Sequence, residues 1–501
     1  MQSIDTPFLA QLEAKSSGSW LISSFFRQIL PRLTFVFFFA TLIGYVFFVL
    51  DLSSFPLLKT IVICFFWLAA LVTASFIGNS PVISLWVLLL NSVVQIYQVA
   101  IYPDIESPIM RVGPLLLSAM ILLFKSFLYI SPRIYLYGAW VLLNVPALIG
   151  AALDSSASLL DAGTVFVFTV FYPLVFAHAA DAFLQSKSGQ DKLRDVIVVP
   201  VLAAAVIPLI LAPLELLYRD TTSLAVLQYG RSYWVLGCIV LVWPVLSKAL
   251  ANWGSMARTV SLAAILLTFV ISFSRGAAFF FVVLALGTII FNVRFRSKFF
   301  WGTALALLII GLFGVVFMWQ WVTDAAWYWL LRFNVASNDA IGISFNLSDS
   351  LSSGRSEIWG MALSLFKDNP FWGYGIGSTS HLVAAMSDSQ FMYGSFHGLF
   401  LTVLVERGVF GLLSVILLMG RIVYLMWTNP SANDSRLFLC FSFLCFLFFA
   451  NTTGIELFLS SSRSFNVDVT LYLFLLVVYF DSNRRSLLGN ARQLLKTKSH
   501  N

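Results

Sequence analysis

"FLTVLVERGVFGLLSVILLMGRIVYLMW", residues 400–427, is the stretch whose reading decides the fold. A helix crossing roughly 30 Å of hydrocarbon needs about 20 mostly apolar residues. This run supplies them and still carries Glu406 and Arg407 near its start. The same apolar pattern recurs along the chain. Of 501 residues, 59% are hydrophobic and 11% charged, with mean hydropathy +0.90, well outside the globular range. The 49 phenylalanines and 15 tryptophans suit lipid-facing and interfacial positions. Spans are expected near 33–50, 56–76, 82–101, 113–130, 134–151, 163–183, 196–216, 233–250, 259–274, 276–292, 299–320, 400–427, 437–453 and 467–482. The fold class is therefore an all-α integral membrane protein, a polytopic bundle of about 12–14 transmembrane helices with one long outer loop.

Lysine and arginine in short loops orient the bundle. Lys187, Lys192 and Arg194, then Lys248 and Arg258, then Arg294, Arg296 and Lys298 fall on one side. Lys15, Arg27 and Arg32 join them at the N-terminus, and Arg484, Arg485, Arg492, Lys496 and Lys498 in the tail. The opposite loops read "DLSSF", "YPDIESP" and "LDSSASLLDAG", acidic or neutral. Both termini are expected in the cytoplasm. The organisation follows: a cytoplasmic segment 1–32, a bundle 33–320, an outer loop 321–399, helices 400–482 and a basic tail 483–501. The net charge of +7 is read through this topology and not as nucleic-acid affinity. No cleavable leader is expected from the N-terminal residues. Cys64, Cys238, Cys440 and Cys445 lie in apolar runs with no CxxC, so neither a disulfide framework nor a metal site is expected.

The outer loop contains the most ordered polar stretch, "SSGRSEIWGMALSLFKDNPFWGYGIGS" (352–378). Ile358, Trp359, Ala362, Leu363 and Phe366 recur at helical spacing, Ser352 or Ser353 can cap the start, and Pro370 stops the helix. Arg355 shares a face with Trp359. "GYGIG" resembles a phosphate loop only superficially, since no strand precedes it and it opens no P-loop helix. It reads either as a tight turn or as backbone approaching a substrate through Gly373 and Gly375. Arg231, Arg275 and His397 are expected at the same outer level. Each arginine either snorkels at a span end or binds an anion, and the histidine is either structural or a base. Glu406 and Arg407 either pair with each other and neighbouring helices or line the site. His178 reads as a packing contact.

Several arginine forks hold a pyrophosphate without a metal, and a histidine deprotonates an incoming hydroxyl. No DxD or HExxH motif is present, so metal-dependent transfer is disfavoured. Two function classes remain: an enzyme transferring a group off an anionic lipid-linked donor, or a flippase moving that lipid across the bilayer.

The order "SRGA" (274–277), "SGRSEIW" (353–359), "NPFWGYGIGS" (369–378) and "FHGLFLTVLVERGVFG" (396–411) resembles the O-antigen ligase and polymerase family of bacterial envelope proteins. The asparagine that usually follows the histidine is Gly398 here, which removes a side-chain amide from the expected site. The resemblance implies a C-type glycosyltransferase fold in the bacterial inner membrane, with its site facing the periplasm. It implies an undecaprenyl-pyrophosphate-linked saccharide as donor, a saccharide or lipid A core as acceptor, and no cofactor. Arg275 and Arg355, with Arg231, would stabilise the leaving pyrophosphate, and His397 would activate the acceptor hydroxyl for inverting transfer. Trp359, Gly373, Gly375, Glu406 and Arg407 would line the substrate.

Overall fold

The computed structural model describes residues 123, 126, 128–153, 159–183, 193–198, 201, 202, 205, 237–250, 253–271, 283, 284, 286–288, 290, 355–386, 396, 398–428, 436–452, 460, 461, 464, 465, 469–482 and 484. Residues 1–87 and 88–501 form two compact units, and every described residue belongs to the second. In chain order the helices are α1 (Ile134–Asn144), α2 (Pro146–Leu153) and α3 (Leu159–Phe166). A π-helical turn (Val167–Phe171) joins α3 to α4 (Tyr172–Phe183). Then come α5 (Gly237–Leu250), α6 (Ser255–Ile271), α7 (Arg355–Asp368) and α8 (Thr379–Met386). The last three are α9 (Leu399–Thr428), α10 (Arg436–Thr452) and α11 (Val469–Ser482). A two-residue antiparallel ladder pairs Ser460 with Phe465 and Ser461 with Ser464, a small β element among described residues that are otherwise mostly helical.

Among the described residues, three helical stretches are long and apolar enough to cross a membrane: Ile134–Leu153, Ala162–Ala182 and Leu399–Thr428. They coincide with three expected spans, and α5, α6, α10 and α11 fall on four more. The expected spans at 33–50, 56–76, 82–101 and 299–320 lie outside the described residues, and those at 113–130, 196–216 and 276–292 mostly so. α1 and α2 are one span interrupted at Pro146, whose ring lacks an N–H and is accommodated as the first residue of the second helix. Large apolar side chains such as Leu142, Leu153, Ile416 and Leu417 remain exposed on these stretches, as lipid-facing positions require. His178 contacts the Ser126 carbonyl at 3.1 Å and the Tyr129 ring, the packing role its surroundings suggest.

A largely buried ionic cluster links four of the described helices. Arg133, just before α1, pairs with Asp181 of α4 and, at 2.8 Å, with Asp481 of α11. Arg421 of α9 reaches Asp481 at 3.3 Å, and Ser131 donates to Asp181. Burial works against the charge of Arg133, but Asp181 and then Asp481 more than offset it and raise its pKa above the ordinary range. Four helices thus meet through two carboxylates. Removing one partner of a buried pair leaves an uncompensated charge and costs about 3–5 kcal/mol. Arg133→Ala is expected to lower the melting temperature of the detergent-solubilised protein and its monodisperse fraction in gel filtration. A variant melting with the wild type would show that the cluster is dispensable.

Candidate active site

The long helix α9 is not continuous. Gly408 sits at φ 61°, ψ −161°, a conformation that favours glycine. The regular i→i−4 ladder fails there, leaving the carbonyls of Val405 and Glu406 and the N–H of Val409 to find other partners. The turn after α7 supplies them all. Tyr374 and Gly375 donate their N–H groups to Val405 O (2.9 Å) and Glu406 O (3.0 Å), and Val409 N–H donates to Pro370 O (2.8 Å). The turn at 370–375 and the long helix are stitched together backbone to backbone.

That stitch explains the glycines. Gly373, Gly375 and Gly377 all have positive φ, so the turn follows a path other residues adopt only with strain. A Cβ on Gly373 would lie 2.5 Å from the Glu406 backbone, and one on Gly408 would lie 2.3 Å from Phe371 O. Gly375 packs on Ala151 of α2, and Gly150 faces the Gly373 carbonyl, each leaving 2.5 Å for an added Cβ. Gly373 and Gly375 are buried within this backbone-to-backbone contact. The turn is not a phosphate loop.

Glu406 and Arg407 are both 0% exposed, and their hydrogen-bond partners lie on different elements. Glu406 Oε1 accepts from Thr379 Oγ1 (2.7 Å) and from Thr379 N (3.4 Å) at the start of α8. Arg407 donates to Asn144 Oδ1 of α1 (2.6 Å) and to Thr169 Oγ1 in the π-helical turn (3.5 Å). Asn144 in turn donates to Trp140 O and to Ser414 Oγ. A Cβ on Gly411 would meet Arg407 Cβ at 2.1 Å, so this glycine makes room for the arginine stem. An arginine at membrane depth costs about 2.5–3.5 kcal/mol, which this shell of neutral acceptors offsets.

α7 packs on the first turns of α9 with Ile358, Ala362 and Leu365 in one cluster with Val383, Phe396 and Val405. The buried stripe differs from the expected one: Leu363 is 47% exposed and Trp359 half-buried, because the 358/362/365 row faces α9. Arg355 is the first residue of α7; its side chain lies outside the described residues, as do Arg231, Arg275 and His397. Phe396 and Gly398, flanking His397, are buried. Trp372 is part-exposed beside Phe410, ring centroids 6.0 Å apart. The structure thus brings Gly373, Gly375, Glu406 and Arg407 together beneath the helix that begins at Arg355. Asn144, Thr169, Thr379, Ser414 and Gly150 were missed by the sequence reading. Only Asn144 carried a signal, as an amide in the apolar run "WVLLNVPALIG".

Residues 260–416 match the family model described as O-antigen ligase. No curated protein matches the chain. The matched segment contains α7, the glycine turn and the break in α9.

Gly408→Ala and Gly373→Ala combine left-handed strain of about 1–3 kcal/mol with a backbone clash, and both are expected to lower the melting temperature sharply. Gly360→Ala, in α7 with open space around it, is expected to hold or raise it, since alanine gains up to about 1 kcal/mol over glycine in a helix. Equal effects at all three positions would contradict the stitched turn.

Proposed function

We propose, for a membrane protein whose residues 260–416 match the O-antigen ligase family model, that it is a metal-independent inverting glycosyltransferase acting at the periplasmic face of the bacterial inner membrane. Its donor is an undecaprenyl-pyrophosphate-linked saccharide and its acceptor a saccharide hydroxyl, on lipid A core or on another lipid-linked repeat unit. The observation that carries this reading is the stitched joint. It holds the helix beginning at Arg355 and the turn at 369–378 on the span at 399–411, so these three segments of the signature pack together.

In the reaction, the acceptor hydroxyl oxygen attacks the anomeric carbon, and His397 takes the hydroxyl proton. The bond from the anomeric carbon to the pyrophosphate oxygen breaks, and undecaprenyl pyrophosphate leaves with the electron pair. Arg275 and Arg355, with Arg231, stabilise the charge that grows on that oxygen, where planar forks aimed at the leaving group act most strongly in the transition state. Trp359 and Trp372 line the approach. Transfer is favoured over lipid flipping because a flippase needs both ends of its path to open in turn. Near the other end of the described helices, ion pairs of Arg133, Asp181, Asp481 and Arg421 link α1, α4, α9 and α11, which supports a fixed rather than an opening end.

Donor binding and transfer, measured separately in membranes with matched protein levels, test the roles. Arg275→Ala and Arg355→Ala are expected to weaken donor binding and lower turnover by about ten- to a hundredfold or more, each lost charge-assisted contact being worth about 1.5–3 kcal/mol. Arg→Lys keeps the charge without the fork and is expected to retain partial activity. His397→Ala is expected to bind donor and fail to transfer. Wild-type transfer by His397→Ala, or wild-type donor binding by both arginine→Ala variants, would overturn the assignment.

A further inference from the structure

Glu406 is a carboxyl with no exposure, inside a membrane-spanning helix, and its attachment is one-sided. Oε1 takes Thr379 Oγ1–H and the Thr379 N–H at the start of α8. Oε2 is buried and has no hydrogen-bond partner among the described residues. The carboxyl therefore reaches the outer segment through a single oxygen, and its neighbour Arg407 reaches the spanning helices on the other side through Asn144 and Thr169. Between the two side chains and the break at Gly408, α9 is gripped from both directions. The start of α8 is also the end of the glycine turn, whose Ser378 N–H and O bond back to Gly375 and on to His381 and Leu382. Whatever moves Thr379 moves the turn.

We propose that Glu406 is a positioning residue that acts through Thr379. It caps α8, presses the glycine turn onto the break in α9, and so sets the register of the outer segment on the span that bears the site. It touches no substrate. A carboxyl oxygen at a helix N-terminus accepts from the free N–H groups there, and burial removes the water that would compete for them. The alternative reading of Glu406, as a ligand for saccharide hydroxyls, would leave it reachable from the site, whereas it is sealed beneath Thr379 and the turn. The proposal rests on the glycosyl-transfer reading only for its kinetic arm.

The test uses the full-length protein in membranes, with undecaprenyl-pyrophosphate-linked saccharide extracted from cells that lack the protein as donor. Thr379→Val keeps the shape and removes the hydroxyl; Thr379→Ser restores it. Thr379→Val is expected to lower kcat about ten- to a hundredfold, the cost of a misplacement on the order of 1 Å, with donor KM unchanged. Thr379→Ser is expected to lie within about threefold of wild type. Glu406→Gln keeps an acceptor oxygen for Thr379 and is expected to stay above Glu406→Ala. Backbone hydrogen exchange supplies a readout independent of chemistry: in Thr379→Val it is expected to quicken over 373–386 and to stay unchanged over 134–153. Wild-type kcat in Thr379→Val, or a raised donor KM that Thr379→Ser does not rescue, overturns the positioning role. So does unchanged exchange over 373–386. If Arg355→Ala and His397→Ala transfer normally, the glycosyl-transfer reading fails instead, and the exchange result alone decides whether Glu406 holds the turn.

Discussion

A broken helix inside a membrane has to satisfy its own backbone, because hydrocarbon offers no hydrogen bonds and each bare amide or carbonyl costs several kcal/mol. α9 breaks at Gly408, and the groups set loose at Val405, Glu406 and Val409 are taken up by Pro370, Tyr374 and Gly375. The remaining features of this region follow from that exchange. Backbones must approach closely, so glycine stands at 150, 373, 375 and 408. The turn must be held down, and Glu406 does so through Thr379. The span must keep its register against α1 and the π-helical turn, and Arg407 does so through Asn144 and Thr169.

The pattern Glu406, Gly408, Gly411 therefore has a mechanical reading. The glutamate caps a neighbouring helix, the first glycine breaks the span, and the second clears the path of Arg407 across its own helix. Adjacent charges in a span are expected to pair with each other or to face a ligand. Here they serve two different partners on two sides of one helix, and both end fully buried.

Much of this architecture was legible in the sequence. The runs at 134–151, 163–183 and 400–427 are long enough and apolar enough that the thickness of a bilayer fixes them. The stop at Pro370 and the glycine turn follow from local backbone chemistry. The break at Gly408 was not legible, because a lone glycine in a helical run is usually tolerated and only the docking of 370–375 makes this one necessary. Leu363 misled for a related reason: helical spacing tells which residues share a face, but not which of two apolar rows meets the neighbour. Thr169, Thr379 and Gly150 have no local signature, since each matters only through a residue more than 25 positions away. The four charges at 133, 181, 421 and 481 are equally scattered, and only the packing that brings the start of α1 to the C-terminal parts of α4, α9 and α11 collects them.

A chemical step at one face of the bundle is the central claim. Its most direct test is the purified full-length protein in detergent micelles, where no leaflets exist to be crossed, given the extracted lipid-linked saccharide, an acceptor and excess EDTA. The account predicts release of undecaprenyl pyrophosphate with formation of a new glycosidic bond. Release that requires an added divalent metal would contradict it, as would no release in micelles from a protein that moves the same lipid between leaflets in vesicles.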